Sequence, residues 1–124
     1  MSQILGIMLG GAVGSLLRYL LSNGVYAWLG RGFPYGTLSV NVIGSFLMGV
    51  LTILLIEKGD VSEAVKLTLL VGFLGAFTTF STFSIDTLNL INQGQLLRAF
   101  LNMFFNVGIC VFAVWIGIIF GRYI

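Results

Sequence analysis

Four long apolar stretches, separated by short polar ones, constrain the fold of this chain more than any other feature. A helix crosses the apolar core of a bilayer with about 20 residues, and each stretch is close to that length. Of 124 residues, 58% are apolar and 8% charged, against roughly 45–50% and about 25% in a soluble domain. Residues 1–124 therefore predict one all-α transmembrane domain with four helices. The predicted spans are Ile4 to Leu21, Gly36 to Ile56, Leu67 to Ile91 and Ala99 to Phe120.

The scarcity of reactive side chains argues against an enzyme. The chain has no histidine, four acidic residues and a single cysteine, Cys110, so neither a transition-metal site of familiar spacing nor a Ser-His-Asp arrangement is expected. One cysteine cannot form a disulfide within the chain, and packing is its expected role. The six basic residues occur singly, which does not indicate a nucleic-acid partner.

Small residues recur at helical spacing in the first and last spans. Gly6, Gly10 and Gly14 are four residues apart, and Gly117 and Gly121 repeat the pattern. Such spacing allows two helix backbones to approach closely in lipid. We expect a packing role and no ligand role.

The basic residues give little guidance on orientation. Cytoplasmic loops usually carry an excess of Lys and Arg, but the two sides of this chain carry equal numbers. Insertion in both directions is then permitted, and with it an antiparallel homodimer, although a weak bias remains if Arg18 lies within the membrane. One side holds Lys58, Lys66 and Arg122, and the other holds Arg18, Arg31 and Arg98.

Hydroxyl side chains crowd the middle of the third span, where five of the seven residues from Thr78 to Ser84 carry one. Glycine and threonine are poor helix formers, and non-helical backbone at this depth needs cover from protein or a water-filled path. We predict a broken third helix. A kinked packing helix lined with hydroxyls is the alternative.

A break of this kind frees backbone groups for ions of either sign. The carbonyls of Gly75 and Thr78 could hold a hard cation such as sodium. Phe80 and Phe83, three residues apart, share a helical face, and their electropositive ring edges could meet a dehydrated anion. Phenylalanines in membrane helices also serve simple packing, so this pattern alone leaves the function open.

Three motifs together make a family resemblance. They are Gly10-Gly11 through Arg18-Tyr19 in span one, Gly36-Thr37-Leu38 with Asn41 in span two, and Gly75-Ala76-Phe77-Thr78-Thr79-Phe80-Ser81-Thr82-Phe83-Ser84 in span three. Their order and spacing resemble the Fluc (CrcB) family of bacterial fluoride ion channels, and the resemblance covers essentially the whole chain.

This resemblance implies an antiparallel, dual-topology homodimer in the bacterial plasma (inner) membrane. It implies passive export of toxic fluoride down its electrochemical gradient, with a structural Na+ at the dimer centre bound by main-chain oxygens of Gly75 and Thr78. Arg18 would lie at a vestibule, although snorkelling to the interface is the alternative. Asp86 is expected near the interface without a pore role, and Asn102 and Asn106 match too loosely to be assigned. By motif position, the fluoride pathway would comprise Asn41, Phe80, Phe83, Ser81, Thr82 and Ser84.

Two other classes remain to be weighed. A proton-coupled transporter of the small multidrug resistance type also has four helices, but its mechanism needs an acid within the membrane, and the first span has none. A four-helix scaffold would explain the glycine faces but leaves the cluster of hydroxyls and phenylalanines without a role.

Overall fold

The computed structural model describes residues 1–124 and contains only helices, of which four are long and apolar enough to cross a membrane. This confirms the all-α prediction with four spans. The first span is α1 (Ser2–Leu29), the second is α2 (Tyr35–Thr52) with a π-helical extension (Ile53–Glu57), and the fourth is α6 (Leu96–Tyr123). The third span comprises α3 (Glu63–Lys66), a π-helical segment (Leu67–Leu74), α4 (Gly75–Phe77) and α5 (Phe80–Asn92).

The first helix runs further than its apolar stretch predicts, to Leu29 and not Leu21. Ser22 ends the apolar stretch, but its hydroxyl donates to the Arg18 carbonyl at 2.7 Å. The polar group is therefore satisfied inside the helix. The helix ends at Gly30, whose φ of 80° favours glycine. Arg18, expected about one turn from the end of the span, therefore lies about three turns before Leu29.

The glycines of α1 lie against the π-helical segment of the third span. A Cβ added to Gly10 would overlap the Thr68 carbonyl oxygen, and one added to Gly14 would overlap that of Phe73. On the opposite side, a Cβ on Gly72 would come 2.7 Å from the Ile7 carbonyl oxygen. The two backbones are thus in direct contact, which confirms the predicted packing role.

A second close contact joins α2 and α6, which are also not consecutive in the chain. A Cβ on Gly49 would overlap the Val114 carbonyl oxygen, and one on Gly117 would overlap that of Phe46. The most extensive contacts of the fold are these two, between alternate spans. Glycine at each contact brings the helices close enough to form a tight bundle.

Two residues of extended backbone separate α4 from α5. Thr78 has φ −86° and ψ 162°, and Thr79 has φ −152° and ψ 121°. The Thr78 amide donates to the Leu74 carbonyl at 3.1 Å and completes the last turn before the interruption. The Thr79 hydroxyl accepts from the Thr82 amide at 3.2 Å and caps the N-terminus of α5.

Basic side chains also fix the two ends of the bundle. The Lys58 ammonium donates to the carbonyls of Gly121 and Arg122 at 3.0 and 2.7 Å, and so caps the last turn of α6. At the other end, Arg98 donates to the Gly32 carbonyl at 2.9 Å and ties α6 to the first loop.

Candidate functional site

A groove of about 290 Å³ lies between α2, α5 and α6. Its lining brings together Asn41 of α2 with Phe80 and Phe83 of α5. Three of the predicted pathway residues, which are far apart in sequence, therefore share one surface. The other lining residues are Gly44, Ser45, Met48, Thr78, Thr79, Asn106, Val107, Cys110 and Val114.

The two phenylalanines form a tilted pair at the mouth of this groove. Their ring centroids are 5.3 Å apart with an interplanar angle of 56°. Phe83 is buried at 8% exposure, whereas Phe80 is 76% exposed. A tilted pair presents ring edges, which carry the positive end of the aromatic quadrupole, beside a ring face. One chain therefore encloses only half of this aromatic pair.

Asn41 connects α2 to the extended residue Thr79. Its Nδ2 donates to the Thr79 carbonyl at 3.1 Å and to Asn106 Oδ1 at 2.9 Å, and its Oδ1 accepts from the Thr79 amide at 2.8 Å. Both backbone groups of Thr79 are thus satisfied by one side chain. Because an amide nitrogen carries two hydrogens, Asn41 has no further donor in this conformation.

Two asparagines of α6 continue this network. Asn106 Nδ2 donates to both the main-chain and side-chain oxygens of Asn102 at 2.9 Å. Asn102, at 0% exposure, donates to the Thr87 hydroxyl at 2.9 Å, which in turn donates to the Phe83 carbonyl at 2.8 Å. The sequence interpretation left both asparagines unassigned. The available signal was two amides one turn apart in an otherwise apolar helix.

The predicted hydroxyls of α5 do not all point the same way. The Thr79 hydroxyl lies 3.3 Å from Ser81 Oγ and 3.2 Å from Thr82 Oγ1. The Ser84 hydroxyl donates back to the Phe80 carbonyl at 2.9 Å. Ser81 and Ser84 are exposed, whereas Thr82 is half-buried.

A second cavity, of about 340 Å³, adjoins the first at Thr79. Its lining contains Arg18, the expected vestibule residue, together with Thr82, Asp86 and Arg31. Asp86, for which no pore role was expected, accepts a hydrogen bond from Thr37 at 2.7 Å. The remaining lining residues are Ser15, Tyr19, Ser22, Tyr26, Thr37 and Val40.

The charges of this second cavity are not paired with one another. The ion pair of the chain joins Arg122 to Glu57, at the opposite end of α6 from Arg98. The Arg31 guanidinium lies 4.5 Å from the centre of the Tyr26 ring, a cation–π contact that leaves its charge uncompensated. Two arginines and one carboxylate thus give the cavity a net positive charge.

The two carbonyls expected to hold a cation have lost their helical donors. In a continuous helix the Thr79 amide would bond the Gly75 carbonyl, and the Thr82 amide that of Thr78. Here the Thr79 amide donates to Asn41 and the Thr82 amide to the Thr79 hydroxyl. Main-chain oxygens that lack helical hydrogen bonds suit a hard cation, so the carbonyls of Gly75 and Thr78 fit the expected Na+.

Comparison with known proteins gives consistent results across the chain. The profile of the family described as CrcB-like protein, Camphor Resistance (CrcB), matches residues 5–118. A protein of Magnetococcus marinus named "Fluoride-specific ion channel FluC" is 57% identical over 98% of this chain and 99% of its own length. Proteins of the same name from Methylococcus capsulatus and Hydrogenovibrio crunogenus are 51% and 48% identical over 97% of this chain, and over 53% and 91% of their own lengths.

Proposed function

The chain belongs to the CrcB-like family, and from that premise we propose that it is a passive channel through which toxic fluoride leaves the cell down its electrochemical gradient. The observation that carries the proposal is the 57% identity, over 98% of the chain, to a protein named as a fluoride-specific ion channel. Membership confirms the family resemblance and the expectation of a channel in place of an enzyme.

The chain is a multi-pass membrane protein, and its proposed location is the bacterial plasma (inner) membrane. The proposed assembly is an antiparallel, dual-topology homodimer. Its support is the incomplete enclosure of the aromatic pair, since Phe80 is 76% exposed beside the groove. The basic residues leave only a weak bias in orientation, because Lys58 and Arg122 lie at one end of the bundle and Arg98 at the other, whereas Arg18 lies well inside α1.

The proposed fluoride pathway runs along α5 past Phe80 and Phe83. A dehydrated anion would meet ring edges there, together with the hydroxyls of Ser81, Thr82 and Ser84. The lining of the groove contains no Lys or Arg that would hold the anion too tightly. Asn41 belongs to the same surface, but it can donate to fluoride only by releasing one of its two present acceptors.

The second cavity serves as the proposed vestibule. Arg18 and Arg31 raise the local concentration of anions, and this attraction weakens as salt screens the charges. Asp86 reduces the net positive charge, so the cavity would attract fluoride without binding it firmly. The Thr82 hydroxyl, half-buried in this lining, then stands between the vestibule and the aromatic pair.

The proposed structural Na+ would be held by the main-chain oxygens of Gly75 and Thr78. One chain offers too few oxygens for a hard cation, so the same residues of a second copy would complete the site. When bound, the ion would supply a fixed positive charge between the two copies. Within each chain, Asn41 and the Thr79 hydroxyl keep these carbonyls free by taking up the amides that would otherwise bond them.

The test is fluoride efflux from liposomes that contain the purified protein. Vesicles are loaded with potassium fluoride or potassium chloride, and valinomycin releases the countercharge. Rapid fluoride loss with chloride retained is expected. Retention of fluoride by vesicles that contain folded protein would overturn the proposal.

Substitutions then test the pathway residues. Phe80→Ile and Phe83→Ile are expected to reduce fluoride flux while the assembly keeps its size, because an aliphatic side chain offers no positive ring edge. Asn41→Asp is expected to stop flux, since it places a negative charge beside an anion path. Unchanged flux in both Phe variants would remove the rings from the pathway, and a conducting Asp variant would remove Asn41.

A further inference from the structure

The hydrogen bonds of half-buried Asn41 and buried Asn102 and Asn106 form a single directed chain that begins at the N-cap of α5 and ends within its first turn. It starts at the Thr79 amide, passes through Asn41 of α2 and through Asn106 and Asn102 of α6, and ends at the Phe83 carbonyl through Thr87. Every link is between 2.8 and 2.9 Å long. The loop it closes contains Phe80 and Phe83.

The direction of this chain is fixed by its two backbone ends. The Thr79 amide can only donate, so Asn41 must turn its oxygen toward it and its nitrogen toward Asn106. Asn106 must then present oxygen to Asn41 and nitrogen to Asn102, and so on to the Phe83 carbonyl, which can only accept. Rotation of any one amide would place two donors or two acceptors against each other.

Packing alone does not account for these amides. Leucine matches asparagine in branching and in the number of side-chain heavy atoms but carries no polar group, and a buried polar group costs free energy when it is unpaired. Each buried side-chain polar atom of the chain has a partner. Unlike leucine, the asparagines of α6 fix the orientation of the Asn41 side-chain amide by hydrogen bonding. Asn41 in turn fixes the start of α5.

We propose that Asn106 and Asn102 are positioning residues for fluoride conduction, which hold the Phe80–Phe83 turn by fixing Asn41 at one end and the Phe83 carbonyl at the other. Neither needs to touch the ion. This inference rests on the proposed channel function and adds the fourth span to the parts of the chain that determine it.

The first test compares Asn106→Leu, Asn106→Ser and the control Asn92→Leu, which replaces an exposed amide at the end of α5. In Asn106→Leu the maximal rate of fluoride efflux is expected to fall about tenfold, because the Asn41 amide loses one of its two acceptors and is no longer held toward α6. Serine can accept from Asn41 and donate to Asn102, so Asn106→Ser is expected to recover part of the rate. The control should conduct at the wild-type rate. Wild-type efflux in Asn106→Leu would overturn the proposal.

A second readout does not depend on conduction. In wild-type protein the Thr79 amide and the Asn41 side-chain amide are expected to exchange slowly with deuterated solvent in NMR spectra recorded in detergent micelles. In Asn106→Leu both should exchange faster, whereas an amide in α1 such as that of Gly14 should not change. Unchanged exchange at Thr79 would overturn the positioning role even if efflux falls.

Together the two readouts separate this inference from the proposed function. If wild-type protein conducts no fluoride, the channel proposal and the conduction role both fail, and the exchange result alone decides whether the amides hold the turn. If wild-type protein conducts, the double variant Asn102→Leu/Asn106→Leu should conduct no less than Asn106→Leu, because both residues act through one chain of bonds. Additive losses would indicate two independent packing defects and would overturn the inference.

Discussion

The two halves of the third span occupy one membrane segment but are held by different forces. The first half, Glu63–Phe77, lies with its backbone against the glycines of α1. The second half, Phe80–Asn92, is joined through side-chain hydrogen bonds to Thr37 of α2 and to Asn102 of α6. In lipid, where apolar surface gives helices little reason to associate, shape and hydrogen bonding are the remaining sources of attraction. The first half relies on close backbone packing and the second half on hydrogen bonds.

This difference determines how each half fails. A contact between backbones has no room for even one added carbon atom, but it does not depend on any particular side-chain donor or acceptor. A chain of hydrogen bonds tolerates small changes of volume, but it fails when a single donor or acceptor is lost. The first half should therefore govern stability, and the second should govern conduction.

The largest effect is expected for Gly14→Ala in the first half. The new Cβ would overlap the Phe73 carbonyl oxygen, and overpacking of this kind costs about 1–3 kcal/mol or more. Thermal unfolding in detergent should show a large loss of stability, and little folded protein should reach liposomes. The control is Gly24→Ala, which has nothing within 4 Å of the added atom. Equal stability of the two variants would contradict the close contact.

A smaller effect is expected when the two N-cap residues of the third span are replaced, and the two variants should differ only in fluoride efflux. Ser62 caps α3 by accepting from the Val65 amide at 3.3 Å, as Thr79 caps α5. Ser62→Ala and Thr79→Ala should each lose about 1 kcal/mol of stability. Only Thr79→Ala should also reduce fluoride efflux per folded molecule, because its hydroxyl orders the start of the proposed pathway. A matching fall in efflux for Ser62→Ala would remove the distinction between the halves.

The smallest effect is expected at the boundary between the halves, for Gly75→Ala. The nearest atom to the added Cβ is the Leu70 carbonyl oxygen at 4.0 Å, and the main-chain oxygen is kept. Stability should change by less than about 1 kcal/mol, whereas Gly72→Ala, which faces the Ile7 backbone, should be clearly destabilised. A large loss of stability at Gly75 would contradict this prediction and would mean that the second copy of the proposed dimer comes close enough to contact the added Cβ.

Sequence reasoning reached the fold because hydropathy alone determines how many helices cross a bilayer. It also placed Phe80 beside Phe83, since a spacing of three puts two side chains on one face of a helix, and the rings are in contact. The end of α1 was wrong because Ser22 satisfies its own hydroxyl within the helix, which hydropathy does not register.

The partners of Asn102 and Asn106 could not be predicted in the same way. Asn41 and Asn106 are 65 residues apart, and their contact depends on the close approach of α2 and α6. That approach is set by Gly49 and Gly117. These glycines lie in different spans, and the sequence of either span alone does not show that they meet. The presence of Asp86 and Arg18 in one cavity likewise depends on how α1 and α5 pack together.

The π-helical segment between Leu67 and Leu74 makes the number of residues in the third span as important as their identity. A π-helix needs more residues per turn than an α-helix, so each of its residues turns the chain through less than the roughly 100° of an α-helical residue. A change of helix type at constant length, or of length at constant helix type, would therefore rotate everything that follows. The face that α5 presents to Asn41 would then turn toward lipid. Related chains should therefore vary in the side chains of this segment while keeping the number of its residues.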